Sequence, residues 1–445
     1  MIKIGIVGAG PAGMFSAYKL SQNKNLDITL IDMGKKVEKR TEKDIMCGVG
    51  GAGTYSDGKL HFSPVLSHEK IFHLFSPKEY QKYLDQVDKI FTDFGVDSDY
   101  YPKDMKKAEQ FVEEAKKQDI RLIIRKNRHV GTDKLPEVIK NFQDFLEDKK
   151  VNIIENKKVE DILVNESGCD GVKIKNEEIK FDKTILAPGR VSAKWLQDLC
   201  SKYKIPYDYD KIEVGVRVEF PSIVMKKYSD LMYEAIFMLQ SKSFEDVVRT
   251  FCPCPNGMVG VEKYDGFVCV NGHSNSDHLS ENSNFALVSE VVLTEPVENT
   301  TEYGKSIAHL ATTIGGGKPI LQRLEDLKKG RRSTWRRIEK GIVEPTLKDV
   351  VPGDISMALP HRIVKNIIEG LEKLDKIMPG INSGSTLLYA SEIKLRSSKI
   401  KTSKYLETCV KNLFVAGDGA GVSGNIVGAA ATGLIAGEGV IKSIK

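Results

Sequence analysis

With 445 residues, 41% of them apolar and 29% charged, the chain has the balance of a globular protein and the length for two or three packed domains, which excludes a disordered or fibrous protein. Lys and Arg number 66 against 61 Asp and Glu, a formal net charge of +5, too small to demand nucleic acid or an anionic membrane as partner. Seven cysteines, an odd number with no CxxC pair, give no disulfide or zinc framework and fit a reducing compartment.

The chain opens on Ile2-Lys3-Ile4-Gly5-Ile6-Val7, too short and too early for the apolar core of a secretory signal, so a cytoplasmic location is expected. This β-branched run leads into Gly8-Ala9-Gly10-Pro11-Ala12-Gly13 and then an apolar helical pattern through Met14, Ala17, Tyr18 and Leu20. Strand, tight turn and helix in that order give GxGxxG the context of a dinucleotide site rather than of a glycine-rich turn. Gly8 permits the turn, Gly10 lets a pyrophosphate approach the backbone, and Gly13 lets helix and strand pack closely; Pro11 and Ala12 open the helix whose N-terminus faces the phosphates. A second strand from Asp27 to Ile31 ends in Asp32, nineteen positions after Gly13, where a carboxylate can bind an adenosine ribose. These features do not separate FAD from NAD. Arg40 could touch the diphosphate or ribose, or stand as a solvated surface charge.

Cys47 to Leu60 carry five glycines. Gly50, Gly51, Ala52 and Gly53 would let backbone amides approach a planar ring or a phosphate, and Ser56, Asp57 and Lys59 could add polar contacts. A Lys- and Glu-rich stretch at 77–120, with apolar residues at helical spacing, predicts a helical insertion. Residues 121–190 read as strand, helix (Leu135 to Lys149) and further strands of a parallel βαβ unit with an added hairpin.

From about 201 to 345 alternation dominates, with strands expected at Glu213 to Phe220, Asp246 to Cys252, Met258 to Val270 and Phe285 to Leu293, and one helix at Glu302 to Thr313. Gly315-Gly316-Gly317 follows a helix rather than a strand, so no separate NAD(P) domain is expected. Cys252 and Cys254 form CxC with intervening prolines, a turn rather than a dithiol relay, and no metal site emerges. Arg331, Arg332, Arg336, Arg337 and Lys340 surround Trp335; on a helix Arg332 and Arg336 would share a face, able to clamp an anion or simply solvated. Glu392 and Arg396, four apart, could pair or line a site, and His273 and His361 stand as lone histidines. No catalytic acid or base is assigned.

Near the C-terminus, Asn412 to Ala416 read as a buried strand ending in Gly417-Asp418-Gly419-Ala420-Gly421, followed by a helix from about Gly424. Asp418 beyond a strand end can accept hydrogen bonds from ribityl hydroxyls. The helix beginning at Asn425-Ile426-Val427 would aim its positive end at a flavin pyrimidine ring, where negative charge gathers on reduction. Ile426 to Ile441, the longest apolar stretch, is Gly-rich and shorter than the roughly 20 residues of a membrane span, so no membrane partner is expected.

The first and last segments together resemble the glutathione-reductase-type flavoproteins, in which the FAD domain is interrupted by a substrate domain. Thr184 to Gly189 resembles that fold's strand and turn, and Lys158 to Ile162 its adenine-side strand, which implies that Ala187 and Val159 contact the cofactor. Gly50 to Lys59 resembles the FAD-dependent dehydrogenases with a GGAGxxSDGK motif. Arg128 to Asp133, Val214 to Glu219, Phe251 to Gly257, Val270 to Ser274, Glu392 to Ser398 and Gly417 to Gly421 match that family in order. Asp418 stands where the family usually has Glu, and of the cysteines that often precede the Gly loop only Cys47 remains.

The expected fold is therefore α/β: a split Rossmann-like FAD-binding domain of glutathione-reductase type at 1–76, 121–200 and 346–445, a helical insertion at 77–120, and a mainly antiparallel β substrate domain at 201–345. The expected activity is hydride exchange between FAD and a small-molecule substrate. Alternatives are a reductase or monooxygenase with NAD(P)H as transient reductant, and a flavin-bearing RNA-modifying or nucleic-acid-binding protein, against which the near-neutral charge argues. Substrate and oligomeric state are not legible.

Overall fold

The computed structural model describes all residues except 42–43, 57, 265, 275–278, 292–298, 395–397 and 445. The chain forms two compact units, one from residues 1–99, 127–210 and 396–445, the other from 100–126 and 211–395.

The first unit is built on a five-stranded parallel sheet in the order Leu413–Val415, Lys183–Leu186, Ile2–Val7, Leu26–Ile31, Asn152–Ile154. Its strands read as near-continuous apolar runs because they are buried in the core of the unit. Val7 lies in register with Leu186 on one side and Ile31 on the other, so the turn at Gly8 starts where both neighbours end. Helix Pro11–Ser21 follows at once and packs along helix Ile426–Ser443: the Ser16 hydroxyl bonds the carbonyls of Ala12 and Gly433, and a Cβ on Gly433 would lie 2.2 Å from the Ala12 oxygen. By length and hydropathy Ile426–Ser443 could span a bilayer, but 72% of it is buried inside the fold, so its apolar character serves core packing. Helix Pro77–Asp93 starts with a capping box between Ser76 and Glu79 and buries Tyr80, Leu84, Val87 and Phe91. Phe91 and Phe142 both pack on Phe15, at 5.2 and 5.0 Å between ring centroids.

The second unit is built on an eight-stranded sheet: Val351–Pro352, Ile320–Arg323, Leu387–Lys394, Ile212–Pro221, Asn282–Val291, Val247–Cys254, Ile236–Gln240, Arg121–Ile123. All neighbours are antiparallel except the first pair. The period of two in Ile212–Pro221 places Val214, Val216, Val218 and Phe220 in a core shared with Ile363, Ile367, Leu371 and Leu374 of helix His361–Leu374. Glu213, Arg217 and Glu219 alternate with them and take the opposite face.

The boundaries differ from the sequence expectation in four places. The stretch 77–120 holds two helices, Pro77–Asp93 and Met105–Lys116, but they fall in different units and form no single insertion. Residues 121–126 join the second unit, because Arg121–Ile123 hydrogen-bonds the edge strand Ile236–Gln240. Residues 346–395 also belong there, since helix His361–Leu374 and strand Leu387–Lys394 bury their apolar faces in its core. The run from Met258 to Val270 is a hairpin, Met258–Tyr264 and Phe267–His273, turned near Gly266 at φ +84°. The end of the strand expected to reach Leu293 lies outside the described residues.

Candidate cofactor site

Gly8 at φ +97° makes the turn after the first strand, and a Cβ there would lie 2.2 Å from the Ala187 oxygen. At Gly13 a Cβ would sit 1.8 Å from the Gly8 oxygen, so helix and turn touch backbone to backbone. Gly10 is different. It has an ordinary extended conformation, and a Cβ there would meet only the Gly51 Cα, at 3.8 Å. The protein itself does not require glycine at position 10. Pro11 occupies the first helical turn, where its missing N–H costs nothing.

Asp32 is buried at the end of the second strand, accepting from the Ala9 amide at 2.7 Å and the Gly34 amide at 2.8 Å. Its main-chain oxygen accepts from Lys157, which brings the extended segment holding Val159 alongside. Val159 is buried just before strand Asp161–Asn165, and the Ala187 amide bonds Val7 beside the turn.

The glycine loop lies against this turn. The Gly50 amide donates to Ala9, Gly50 has φ +88°, and a 3₁₀ turn covers Gly51–Tyr55, including Ala52 and Gly53. A Cβ on Gly53 would lie 3.1 Å from Ile426, so the loop touches both glycine-bearing ends of the chain. The Ser56 hydroxyl bonds the Gly53 carbonyl at 2.8 Å, Lys59 is buried on strand Lys59–His61, and Asp57 lies outside the described residues.

Arg40 is 7% exposed, which corrects the reading as a solvated surface charge. Its guanidinium donates to the carbonyls of Val49, Asp44, Ile45 and Gly51 and to the Thr54 hydroxyl, and stacks 4.8 Å from the Tyr55 ring centroid. It acts as the internal brace of the glycine loop, and burial pushes its pKa down.

At the C-terminal end Gly417 has φ +80°, and its amide donates to Thr432. Asp418 accepts from the Ser423 hydroxyl and lies 3.3 Å from Arg190. Asn425 caps the following helix by accepting from Gly428 at 2.7 Å. Its Nδ2 lies 3.1 Å from Nε2 of buried His68, which is also 3.1 Å from the His61 carbonyl; Ile426 is half-buried and Val427 fully buried. Tyr80 lies 3.4 Å from His68 Nδ1, and burial, followed by the Asp418 charge, pushes its phenol upward. His68, Tyr80, Ser423, Thr432 and Arg190 carry no spacing signal and were invisible in the sequence.

In the second unit, the helix expected to align Arg332 with Arg336 covers only Trp335–Ile338. The neighbouring arginines turn inward: Arg323 and Arg331 bond buried Asp326, and Arg337 lies 4.0 Å from it. Cys254 is buried with its sulfur 3.2 Å from the Arg217 guanidinium. Arg396, expected to pair with Glu392, lies outside the described residues.

Residues 211–395 match the family model described as FAD-dependent protein, C-terminal domain-like, and residues 6–86 match an NAD(P)-binding Rossmann-like domain. An uncharacterised protein of Clostridium beijerinckii is 26% identical over 98% of this chain and 80% of its own length. Among solved structures, the glycine oxidase of Bacillus cereus aligns at TM-score 0.43 and 12% identity over 100% of this chain and 96% of its own. The L-proline dehydrogenase of P. horikoshii aligns at 0.41 and 11% over 99% and 94%. In these two segments the chain is similar to FAD-dependent proteins and to Rossmann-like nucleotide-binding domains.

Proposed function

We propose that the first unit holds FAD along three segments, and that the enzyme exchanges hydride between the flavin and a small organic substrate. In this reading it is a two-domain flavoprotein of glutathione-reductase type, a dehydrogenase of the GGAGxxSDGK group working in the cytoplasm. The observation that carries the reading is Gly10, a glycine whose freedom from a side chain leaves open space where the glycine loop and the first helix meet. The amides in the first turn of helix Pro11–Ser21 have no intrahelical acceptors, so this is where a pyrophosphate is held.

Gly8, Gly10, Pro11, Ala12 and Gly13 would bind the diphosphate. Asp32, Val159 and Ala187 would bind the adenosine half, with Arg40 acting through the loop it braces. Gly50, Gly51, Ala52, Gly53, Ser56, Asp57 and Lys59 would cover the ring, and Gly417 and Asp418 would take the ribityl chain. The helix start at Asn425, Ile426 and Val427 would stabilise negative charge on the pyrimidine edge. The bound flavin supplies the hydride chemistry, while the chain binds, orients and polarises.

The purified protein should be yellow, release FAD on denaturation, and bleach when its reductant is added without oxygen. Rapid bleaching by NADPH alone would move the assignment to a reductase or monooxygenase. A colourless protein that takes up no FAD would overturn the reading.

A further inference from the structure

The sheet order of the first unit puts strand Lys183–Leu186 between Leu413–Val415 and Ile2–Val7, so the turn that leaves it stands between the two glycine turns of the cofactor site. The contacts are main chain to main chain. A Cβ on Gly8 would lie 2.2 Å from the Ala187 oxygen, and one on Gly419 would lie 2.5 Å from the Gly189 oxygen. The C-terminal turn also meets the first helix, since a Cβ on Gly417 would lie 2.9 Å from that of Ala12. Three turns thus converge beyond the carboxyl ends of three neighbouring strands, where open parallel sheets bind their ligands, and Arg190 reaches that rim from the middle strand.

There is room beside it. Gly189, at φ +68°, meets no atom within 4 Å of a Cβ built on it, and a Cβ on Gly10 would meet only the Gly51 Cα at 3.8 Å. The Arg190 side chain is 63% exposed, and its Nε lies 3.3 Å from Asp418 Oδ2. The other Asp418 oxygen accepts from the hydroxyl of buried Ser423. An exposed ion pair of this kind adds little to stability, so the guanidinium is easily drawn to a stronger partner. A phosphate is such a partner, because the planar fork matches two of its oxygens at once.

The site also needs a cation. Asp418 brings a negative charge to the rim where the reading above puts a diphosphate, and two anions side by side repel. Arg40 is committed elsewhere, to four carbonyls and the Thr54 hydroxyl of the glycine loop. We propose that Arg190 binds the phosphate on the ribityl side of the flavin nucleotide, exchanging Asp418 for that phosphate and leaving Asp418 Oδ2 to the ribityl hydroxyls. Arg190 is then the residue that selects a phosphorylated flavin over riboflavin. The inference rests on the proposed FAD site and adds a specificity-determining residue to it.

Binding of riboflavin, FMN and FAD to the full-length flavin-free protein, followed by quenching of flavin fluorescence, tests it in the parent, Arg190→Gln and Arg190→Lys. In Arg190→Gln, FMN and FAD should bind about ten-fold more weakly, while riboflavin binds as in the parent or tighter because no guanidinium competes for Asp418. Arg190→Lys should return part of the lost affinity, and the gap between parent and Arg190→Gln should narrow in about 1 M salt, where the Debye length is about 3 Å. Both variants should melt with the parent, since the side chain is exposed. Should Arg190→Gln melt early, the lysine variant carries the same comparison, weaker FMN with unchanged riboflavin. Equal loss for all three flavins would mean that Arg190 only positions Asp418, and no loss for any would mean a solvated surface pair; either result overturns the proposal. A parent that saturates with FAD through such a failure leaves the cofactor reading standing, whereas a parent that binds none of the three overturns both.

Discussion

In the first unit Gly8, Gly13, Gly51 and Gly433 press backbone against backbone, whereas in the second Glu213, Arg217, Arg249 and Glu392 bury charge on one sheet face. The first surface is made by leaving side chains out, the second by bringing side chains in. A backbone-made surface fails sterically when one atom is added, and a charge-made surface fails electrostatically when one partner is removed. Both modes of failure can be measured.

The largest effect is expected at Gly13. An added Cβ would fall 1.8 Å from the Gly8 oxygen, and both groups are main chain with no side chain to move aside. Gly13→Ala should cost more than about 4 kcal/mol and abolish cooperative unfolding of the first unit in a thermal melt. A melt unchanged from the parent would break the steric half of the contrast. Next comes Arg249→Met, which removes the two-point grip on the 2% exposed Glu213 carboxylate. It should cost about 3–5 kcal/mol in denaturant unfolding, and the double variant Glu213→Leu/Arg249→Met should recover most of that loss. If the double variant is no better than the single one, the pair is not the source of the cost.

The smallest effect is in acid. Burial raises the pKa of Asp326, but hydrogen bonds from Arg323, Ser333 and Arg331 outweigh it and hold the carboxyl at about 2, below its ordinary 3.8. A depressed carboxylate contributes stability that is fully present above the unfolded value and is lost as pH falls through the folded one. The second unit should therefore lose stability between about pH 4 and pH 2, and Asp326→Asn should flatten that part of the curve. An unchanged acid slope in the variant would remove Asp326 from the explanation.

The same contrast explains what the sequence revealed. The turn at Gly8 to Gly13 and the acid at Asp32 are legible because one βαβ unit fixes their spacing, and the parallel sheet follows from the apolar runs. Arg40 reads as one more charge among Lys35 and Lys36, since nothing local announces that five oxygens of a later loop converge on it. Arg331 and Arg337 resemble a solvated helix face for the same reason: the carboxylate they surround, Asp326, lies on the preceding short helix, Leu324–Lys328. The cluster of Arg217, Asn284 and Glu392 is assembled by strand register among segments distant in sequence, and a single chain read in order carries no register. The unit boundaries were misplaced for a related reason, because edge pairing by Arg121–Ile123 and packing by His361–Leu374 are decided by tertiary contacts.

The proposed cofactor cradle is tested most directly at Gly10, where added bulk has room in the protein but none beside a bound diphosphate. FAD titrated into flavin-free protein, followed by quenching of flavin fluorescence, should saturate at one per chain in the parent. Gly10→Ala should melt at the parent temperature yet bind FAD about ten-fold or more weakly. Equal FAD affinity in Gly10→Ala, or no saturable binding in the parent, would contradict a cradle built on that open backbone.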